Sequence, residues 1–297
     1  MMLAATVTGL KLKNPMMLAA GIMGTTGGSL KRAAQAGAGA VVTKSIGIAP
    51  KAGHSNPSMV DVDCGYLNAM GLPNPSYKNF QEEIDKAKES EVPVIASIFG
   101  GSADEFSEIA GALCADAFEL NVSCPHARGY GAEIGTDPKL VEEITHAVKS
   151  AVNAPVWVKL TPNVTDIKSI GLAAQRGGAD AVVAINTVRG MAIDIESGYP
   201  ILGNKFGGIS GRAIKPVAIK CVYDLYEALD IPVIGVGGIS DWKDAVEFIM
   251  AGARAVQIGS AVGENIDIFS DISSCMDAFL TEKEWTLDDI YGMAHEV

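Results

Sequence analysis

Short apolar runs punctuate the chain at 16–20, 40–44, 93–98, 117–122, 155–160, 181–186, 232–236 and 255–259. Most read as largely apolar runs, as expected of strands covered on both faces. Between most of them lie segments with helical spacing and clear start and stop residues. Ser29 can cap a helix that ends near Gly37, and Asp137 with Pro138 opens LVEEITHAVKSAV. Asp166 opens DIKSIGLAAQR before Gly177, and Asp241 opens DWKDAVEFIMA before Gly252. Each capping side chain accepts from N–H groups that a first helical turn leaves unbonded.

One phrase recurs within this pattern: GAGAVVTK at 37–44, CADAFELN at 114–121, GADAVVAIN at 178–186 and GARAVQIG at 252–259. Each is a small-residue turn running into a strand, and Lys44, Asn121 and Asn186 end three of them. A repeat of turn, strand, polar tip and helix predicts an α/β fold, a (β/α)8 TIM barrel with its chemistry at the C-terminal rim. No shift in composition marks a boundary, so residues 1–297 read as a single domain. Two excursions, 47–78 and 188–215, are rich in Gly, Pro and Asn and follow strand ends. They read as long βα loops without structure of their own, placed over the rim as lids or binding arms. Residues beyond 262 read as closing helices.

Composition narrows the picture. Apolar residues make up 48% and aromatics only 6%, so the core must be Ala, Val, Ile, Leu and Met. A net charge of −12 argues against broad binding to nucleic acid. No stretch approaches the ~20 apolar residues of a spanning helix, and no membrane association is expected. The start, MMLAATVTGLKLKNP, has no cleavage pattern and reads as no signal peptide. The five cysteines, at 64, 114, 124, 221 and 275, are widely spaced and form no CxxC pair. That argues against a disulfide scaffold, a metal site or an iron–sulfur cluster held by this chain, and makes a reducing cytoplasm the expected setting. Cys114, Cys221 and Cys275 read as small buried hydrophobes. GIMGTTGG at 21–28 and GVGG at 235–238 lack the GxGxxG spacing of a dinucleotide site.

The predicted strand ends carry the candidate chemistry. Gly237-Gly238 and Gly259-Ser260 follow strands seven and eight, where barrels often cradle a phosphate on backbone N–H groups. Lys159 ends VWVKL. A lysine in an apolar strand either faces a ligand or pairs with a carboxylate on a neighbouring strand. With a phosphate nearby, a flavin is a natural ligand, because a cation at its N1–C2 edge stabilises the reduced anion. Lys44 is a second rim cation, suited to holding a substrate carboxylate or touching the cofactor. Cys124, in NVSCPHARG at 121–129, is a candidate base once its thiol is ionised. His126 is a base, a ligand donor or a plain loop residue. Asn68 and Asn74 in NAMGLPN, like Asn186-Thr187, either read an imide or urea edge or simply form turns.

Taken together, TKS at 43–45, NAMGLPN at 68–74, NVSCP at 121–125, VKL at 158–160, INT at 185–187, GISG at 208–211, GVGGI at 235–239 and QIGS at 257–260 resemble the dihydroorotate dehydrogenase family. The resemblance spans essentially the whole chain and implies FMN as cofactor and dihydroorotate and orotate as substrate and product. It implies that FMN touches Ala20, Lys44, Ser45, Asn121, Lys159, Ile185, Gly211, Gly237, Gly238, Gly259 and Ser260. Substrate would be held by Lys44, Asn68, Ala69, Met70, Gly71, Leu72, Asn121, Asn186 and Thr187, with Cys124 as base and Lys159 steadying the reduced flavin. A cysteine base resembles class 1 of the family, and the overall pattern is more similar to its NAD-linked subclass than to its fumarate-linked one. That subclass implies a homodimer joined to an electron-transfer subunit, a heterotetramer in which the partner carries FAD and a 2Fe–2S cluster. The chain departs from the family pattern at His126, Ser97 and Ala20. His126 is similar to the dihydropyrimidine dehydrogenases, the alternative flavin-barrel reading.

Overall fold

The computed structural model describes residues 3–63, 65–123 and 134–296. Eight parallel strands close into a barrel: β1 (Met16–Leu18), β2 (Ala40–Val42), β3 (Val94–Ile98), β4 (Ala117–Asn121), β5 (Val156–Leu160), β6 (Ala181–Ala184), β7 (Val233–Val236) and β8 (Ala253–Ile258). Each strand pairs with its sequence neighbour, and β8 closes on β1 through Ile258↔Leu18. A helix follows every strand, from Gly27–Gln35 after β1 to Ile268–Lys283 after β8. The fold is the (β/α)8 barrel that the repeat predicts. All eight apolar runs are strands. The runs at 16–20, 40–44 and 181–186 leave the ladder two residues before their predicted ends, and those residues become rim.

Successive strand residues point to opposite faces, and the two faces build two cores. Outward residues such as Leu18, Val41, Phe118, Leu120 and Val158 pack under the helices. Inward residues Met17, Ala40, Val42, Ile95, Ala117, Trp157, Ala181, Val183, Ile234 and Ala255 fill the barrel. One tryptophan among five inward alanines (Ala40, Ala117, Ala181, Ala255 and Ala19) explains how a chain so poor in aromatics fills it. An antiparallel hairpin, Ala5–Val7 with Leu10–Leu12, adds Ala5, Val7 and Leu12 to this inner core. The Trp157 indole Nε1 donates to Thr8 Oγ1 at 3.0 Å and fastens the hairpin turn to β5.

Asp137, Asp166 and Asp241 cap their helices as predicted. The first helix starts earlier than Ser29: Thr26 is its cap, and Ser29 completes a capping box by accepting from Thr26 N at 3.3 Å.

The two excursions are not structureless. Met59–Val62 and Gly65–Asn68 from the first, with Val188–Gly190 and Gly207–Ser210 from the second, form one antiparallel sheet. Its strands have three or four residues each, and the joining pair, Gly208↔Asn68, links segments far apart in sequence. Neither feature leaves a local periodic signal. No helix among the described residues is long and apolar enough to cross a membrane.

Candidate active site at the barrel mouth

The C-terminal strand ends carry a hydrogen-bonded row of small polar side chains. Ser97 Oγ lies 2.9 Å from Ser45 Oγ, and Asn121 Nδ2 donates to Ser45 Oγ at 3.1 Å. Asn186 Nδ2 donates to Asn121 Oδ1 at 3.1 Å, and Asn186 Oδ1 accepts from Thr187 N at 2.8 Å. The row thus joins the ends of β2, β3, β4 and β6. A primary amide has two N–H donors and a carbonyl with two lone pairs. Asn121 and Asn186 therefore keep donor and acceptor capacity for a ligand after bonding each other. Asn163, which the sequence reading passes over, donates to Thr187 O at 3.1 Å and Thr161 Oγ1 at 2.9 Å and fixes the end of the row.

Lys44 stands beside Ser45 and is half-buried. Burial holds its ammonium below the ordinary value of 10.5. No carboxylate or hydrogen-bond acceptor meets its side chain among the described residues, which leaves a desolvated cation for an anionic group to neutralise.

Below the row, Lys159 closes a ring with two buried side chains. Its Nζ donates to Glu119 Oε1 at 3.3 Å and to Gln257 Oε1 at 3.0 Å, while Gln257 Nε2 donates to Glu119 Oε2 at 2.6 Å. Glu119 and Gln257 are fully buried, and Lys159 keeps 6% exposure. Lys159 thus has the carboxylate partner that one reading of VWVKL foresaw, and still reaches the mouth. Glu119 and Gln257 went unremarked in the sequence, although an ionisable residue inside the apolar run AFELN is the same signal that singled out Lys159.

The ends of β7 and β8 fit a phosphate. Gly237 and Gly238 adopt φ of +132° and +79°, a region that side chains avoid. A Cβ on Gly238 would meet Gly211 O and Lys215 N, each at 2.9 Å. The N–H groups of Gly237, Gly238 and Ser260 donate to no acceptor among the described residues. A Cβ on Gly259 would find only Ala19 within 4 Å, so the backbone there is approachable. Ile185 is buried beside Gly237, with its N–H on Val236 O at 2.8 Å. Lys215, whose backbone packs against Gly238, is already paired at 2.7 Å with both Asp244 and Glu247, which raise its pKa. N–H donors on glycine backbone and a lysine that meet no acceptor among the described residues, with amides on the same rim, fit the phosphate and the polar ring of a flavin nucleotide.

The insertion sheet reaches this rim on one side. Gly208 packs so closely on Thr187 that a Cβ would lie 2.0 Å from Thr187 Oγ1, and Asn68 Nδ2 donates to Gly208 O at 3.3 Å. The remainder of the 68–72 segment bonds elsewhere: Ala69 N to Ser58 O at 2.8 Å, and Met70 O accepts from His54 N at 3.1 Å. Asn74 serves its loop, accepting from Gly47 N and Ser76 N and donating to Leu72 O. Cys124, His126 and Cys64 lie outside the described residues. Of the cysteines read as buried, Cys114 and Cys275 are exposed; Cys221 is half-buried, which pushes its thiol up to about 11. Among the described residues no cluster of three or more His, Cys, Asp or Glu side chains could hold a metal ion.

A family model described as dihydroorotate dehydrogenase matches residues 2–280. A protein of Methanosarcina mazei is 67% identical over 98% of this chain and 95% of its own length. One from Methanocella arvoryzae is 65% identical over 100% and 99%, and one from Methanocaldococcus jannaschii 54% identical over 99% of each. All three are named dihydroorotate dehydrogenase B (NAD(+)), catalytic subunit.

Proposed function

The chain belongs to the dihydroorotate dehydrogenase family, and on that footing we propose that it oxidises (S)-dihydroorotate to orotate in pyrimidine synthesis. We take it to be the FMN-bearing catalytic subunit of an NAD-linked enzyme of the cytoplasm. The observation that carries this reading is Lys44, a half-buried cation that meets no carboxylate among the described residues, next in sequence to the polar row of the mouth.

FMN would be held by the free N–H groups of Gly237, Gly238 and Ser260, by the backbone at Ala20, Gly211, Gly259 and Ile185, and by Ser45, Asn121, Lys44 and Lys159 toward its ring. When bound, it supplies the two-electron acceptor for the hydride that leaves C6 of the substrate. The chain's own residues do the rest. Cys124 takes the C5 proton, which the adjacent carbonyl acidifies; this role rests on the NVSCP motif. Loss of a proton from C5 and a hydride from C6 leaves the C5=C6 double bond of orotate. Lys44 pairs with the substrate carboxylate. Asn121 and Asn186, with Thr187, hold the amide edges and offer donors to the enolate-like charge that builds on the C4 oxygen. Asn68 and the 69–72 segment approach from the insertion sheet. Electrons leave through a partner subunit carrying FAD and a 2Fe–2S cluster, in a heterotetramer built on a homodimer of this chain. The naming of the relatives as an NAD(+)-linked catalytic subunit supports that partner.

The test is anaerobic mixing of the FMN-loaded chain with dihydroorotate, dihydrouracil and dihydrothymine. Dihydroorotate should bleach the flavin absorbance fastest, and NAD should be reduced only after the partner subunit is added. Faster bleaching by dihydrouracil would assign the chain to another dihydropyrimidine. Rapid reoxidation by fumarate without the partner would assign it to the fumarate-linked subclass.

A further inference from the structure

The ring of Glu119, Lys159 and Gln257 is a poor way to stabilise a barrel. Taking two opposite charges out of water costs about as much as their attraction returns, and an apolar filling of similar volume often does better. One layer deeper the same strands use such a filling, with Ala117, Trp157 and Ala255. The polar ring therefore calls for another reason.

Its geometry supplies one. Glu119 comes from β4 and Lys159 from the adjacent β5, but Gln257 comes from β8, which stands opposite β4 in the closed strand order. The 2.6 Å bond from Gln257 Nε2 to Glu119 Oε2 therefore crosses the barrel. Both carboxylate oxygens are used, and so are both ends of the amide, so neither side chain can rotate without losing a buried bond. Lys159 spends two of its three ammonium donors on them, and only Lys159 keeps any exposure. The third donor meets no acceptor among the described residues. Glu119 takes its shorter bond from the amide, while the ammonium lies at 3.3 Å. The surface pair Lys149–Asp180, by contrast, closes to 2.7 Å. Glu119 thus holds the lysine without drawing it into a close pair.

We infer that Glu119 and Gln257 are positioning residues: clamped to each other across the barrel, they aim the Lys159 ammonium at the mouth and set how much of its positive charge a bound flavin feels. The inference rests on the flavin reading above. A carboxylate beneath the ammonium offsets part of its field, so the pair tunes the flavin's reduction potential in a direction fixed by charge. Glu119→Gln keeps the shape and removes the negative charge; the flavin becomes easier to reduce. Gln257→Leu keeps roughly the volume and removes both amide bonds; the ammonium loses its aim and FMN binds more weakly.

The experiment is equilibrium reduction of the FMN-loaded chain against reference dyes. Glu119→Gln should raise the ratio of reduced to oxidised flavin at fixed ambient potential by roughly tenfold, about 30 mV for a two-electron couple, and Gln257→Leu should raise the FMN dissociation constant by roughly tenfold. Both variants should stay yellow at saturating FMN. In a Lys159→Met background both effects should disappear, because no ammonium is left to aim and a buried carboxyl without its cation takes up a proton, so that Glu119→Gln no longer changes the charge. Effects that depend on Lys159 in this way support the inference. A wild-type potential in yellow Glu119→Gln, or effects that survive in the Lys159→Met background, overturn it and reduce the ring to a structural filling. Should Glu119→Gln fail to fold, Gln257→Leu decides alone: weaker FMN binding that depends on Lys159 supports the inference and unchanged binding overturns it. A wild-type chain that takes up no FMN removes the flavin reading itself, an outcome distinct from yellow variants with unmoved potentials.

Discussion

The two ends of the barrel interior are made by the same strands and have opposite chemistry. Along β3, β4, β5 and β8, a step of two residues turns Ile95 into Ser97, Ala117 into Glu119, Trp157 into Lys159 and Ala255 into Gln257. Two residues is the repeat of one strand face, so these are successive inward layers. The lower layer is apolar, centred on Trp157, and joined by Ala5, Val7 and Leu12 of the hairpin. The upper layer is polar, satisfied largely by its own ring and row of hydrogen bonds, and holds the lysines. The difference teaches a division of labour. The floor gains stability from burying apolar area, whereas the mouth accepts the cost of buried polar groups in return for fixed positions.

That division predicts that function and stability respond to different substitutions. The largest effect belongs to the proposed base. Cys124→Ala should slow the reduction of bound flavin by dihydroorotate about 10²- to 10⁴-fold, the range for loss of a positioned base. Its denaturant midpoint should match that of the wild type. Near-wild-type single-turnover rates would remove the base assignment. Next comes the floor. Trp157→Ala deletes a fully buried side chain and its bond to Thr8. It should cost about 3–5 kcal/mol in urea unfolding, while whatever protein folds keeps its affinity for FMN. A stability loss below about 1 kcal/mol would mean that the hairpin and the inner alanines close over the cavity.

The floor and strands were legible in the sequence because a strand buried on both faces writes a largely apolar run. Helix starts were legible where one aspartate did the capping, as at Asp137, Asp166 and Asp241. The first helix was misplaced because Thr26 and Ser29 share one capping box, and either reads as its start. What escaped depends on distance along the chain. The insertion sheet pairs Asn68 with Gly208 across 140 residues, and its three- and four-residue strands are too short to show a period. The ring beneath the mouth escaped for the same reason, since Gln257 meets Glu119 across a closed barrel, 138 positions away. Asn74 and Asn68 look alike in NAMGLPN, yet one ties its own loop and the other bonds the second insertion. Only the partners tell them apart.

The smallest effect separates binding from stability at a single residue. Lys44 is desolvated and has no counter-charge among the described residues, so its charged form is disfavoured in the fold and its pKa lies below 10.5. Lys44→Met should therefore weaken dihydroorotate binding by roughly tenfold or more, through loss of the carboxylate partner, yet leave the free chain slightly more stable at neutral pH. The sign follows from proton counting. Between the lowered pKa in the fold and 10.5 in the unfolded chain, the unfolded state holds more protons. Stability contributed by this position therefore rises with pH across that window, and the penalty of the buried ammonium is complete only below it. The gain from Lys44→Met should be largest at neutral pH and vanish as the pH climbs toward 10.5, read as the difference in urea midpoints between the two proteins. A variant less stable than wild type at neutral pH would show that Lys44 is paired in solution, and the polar mouth would then be a self-contained network with no cation to spare for a ligand.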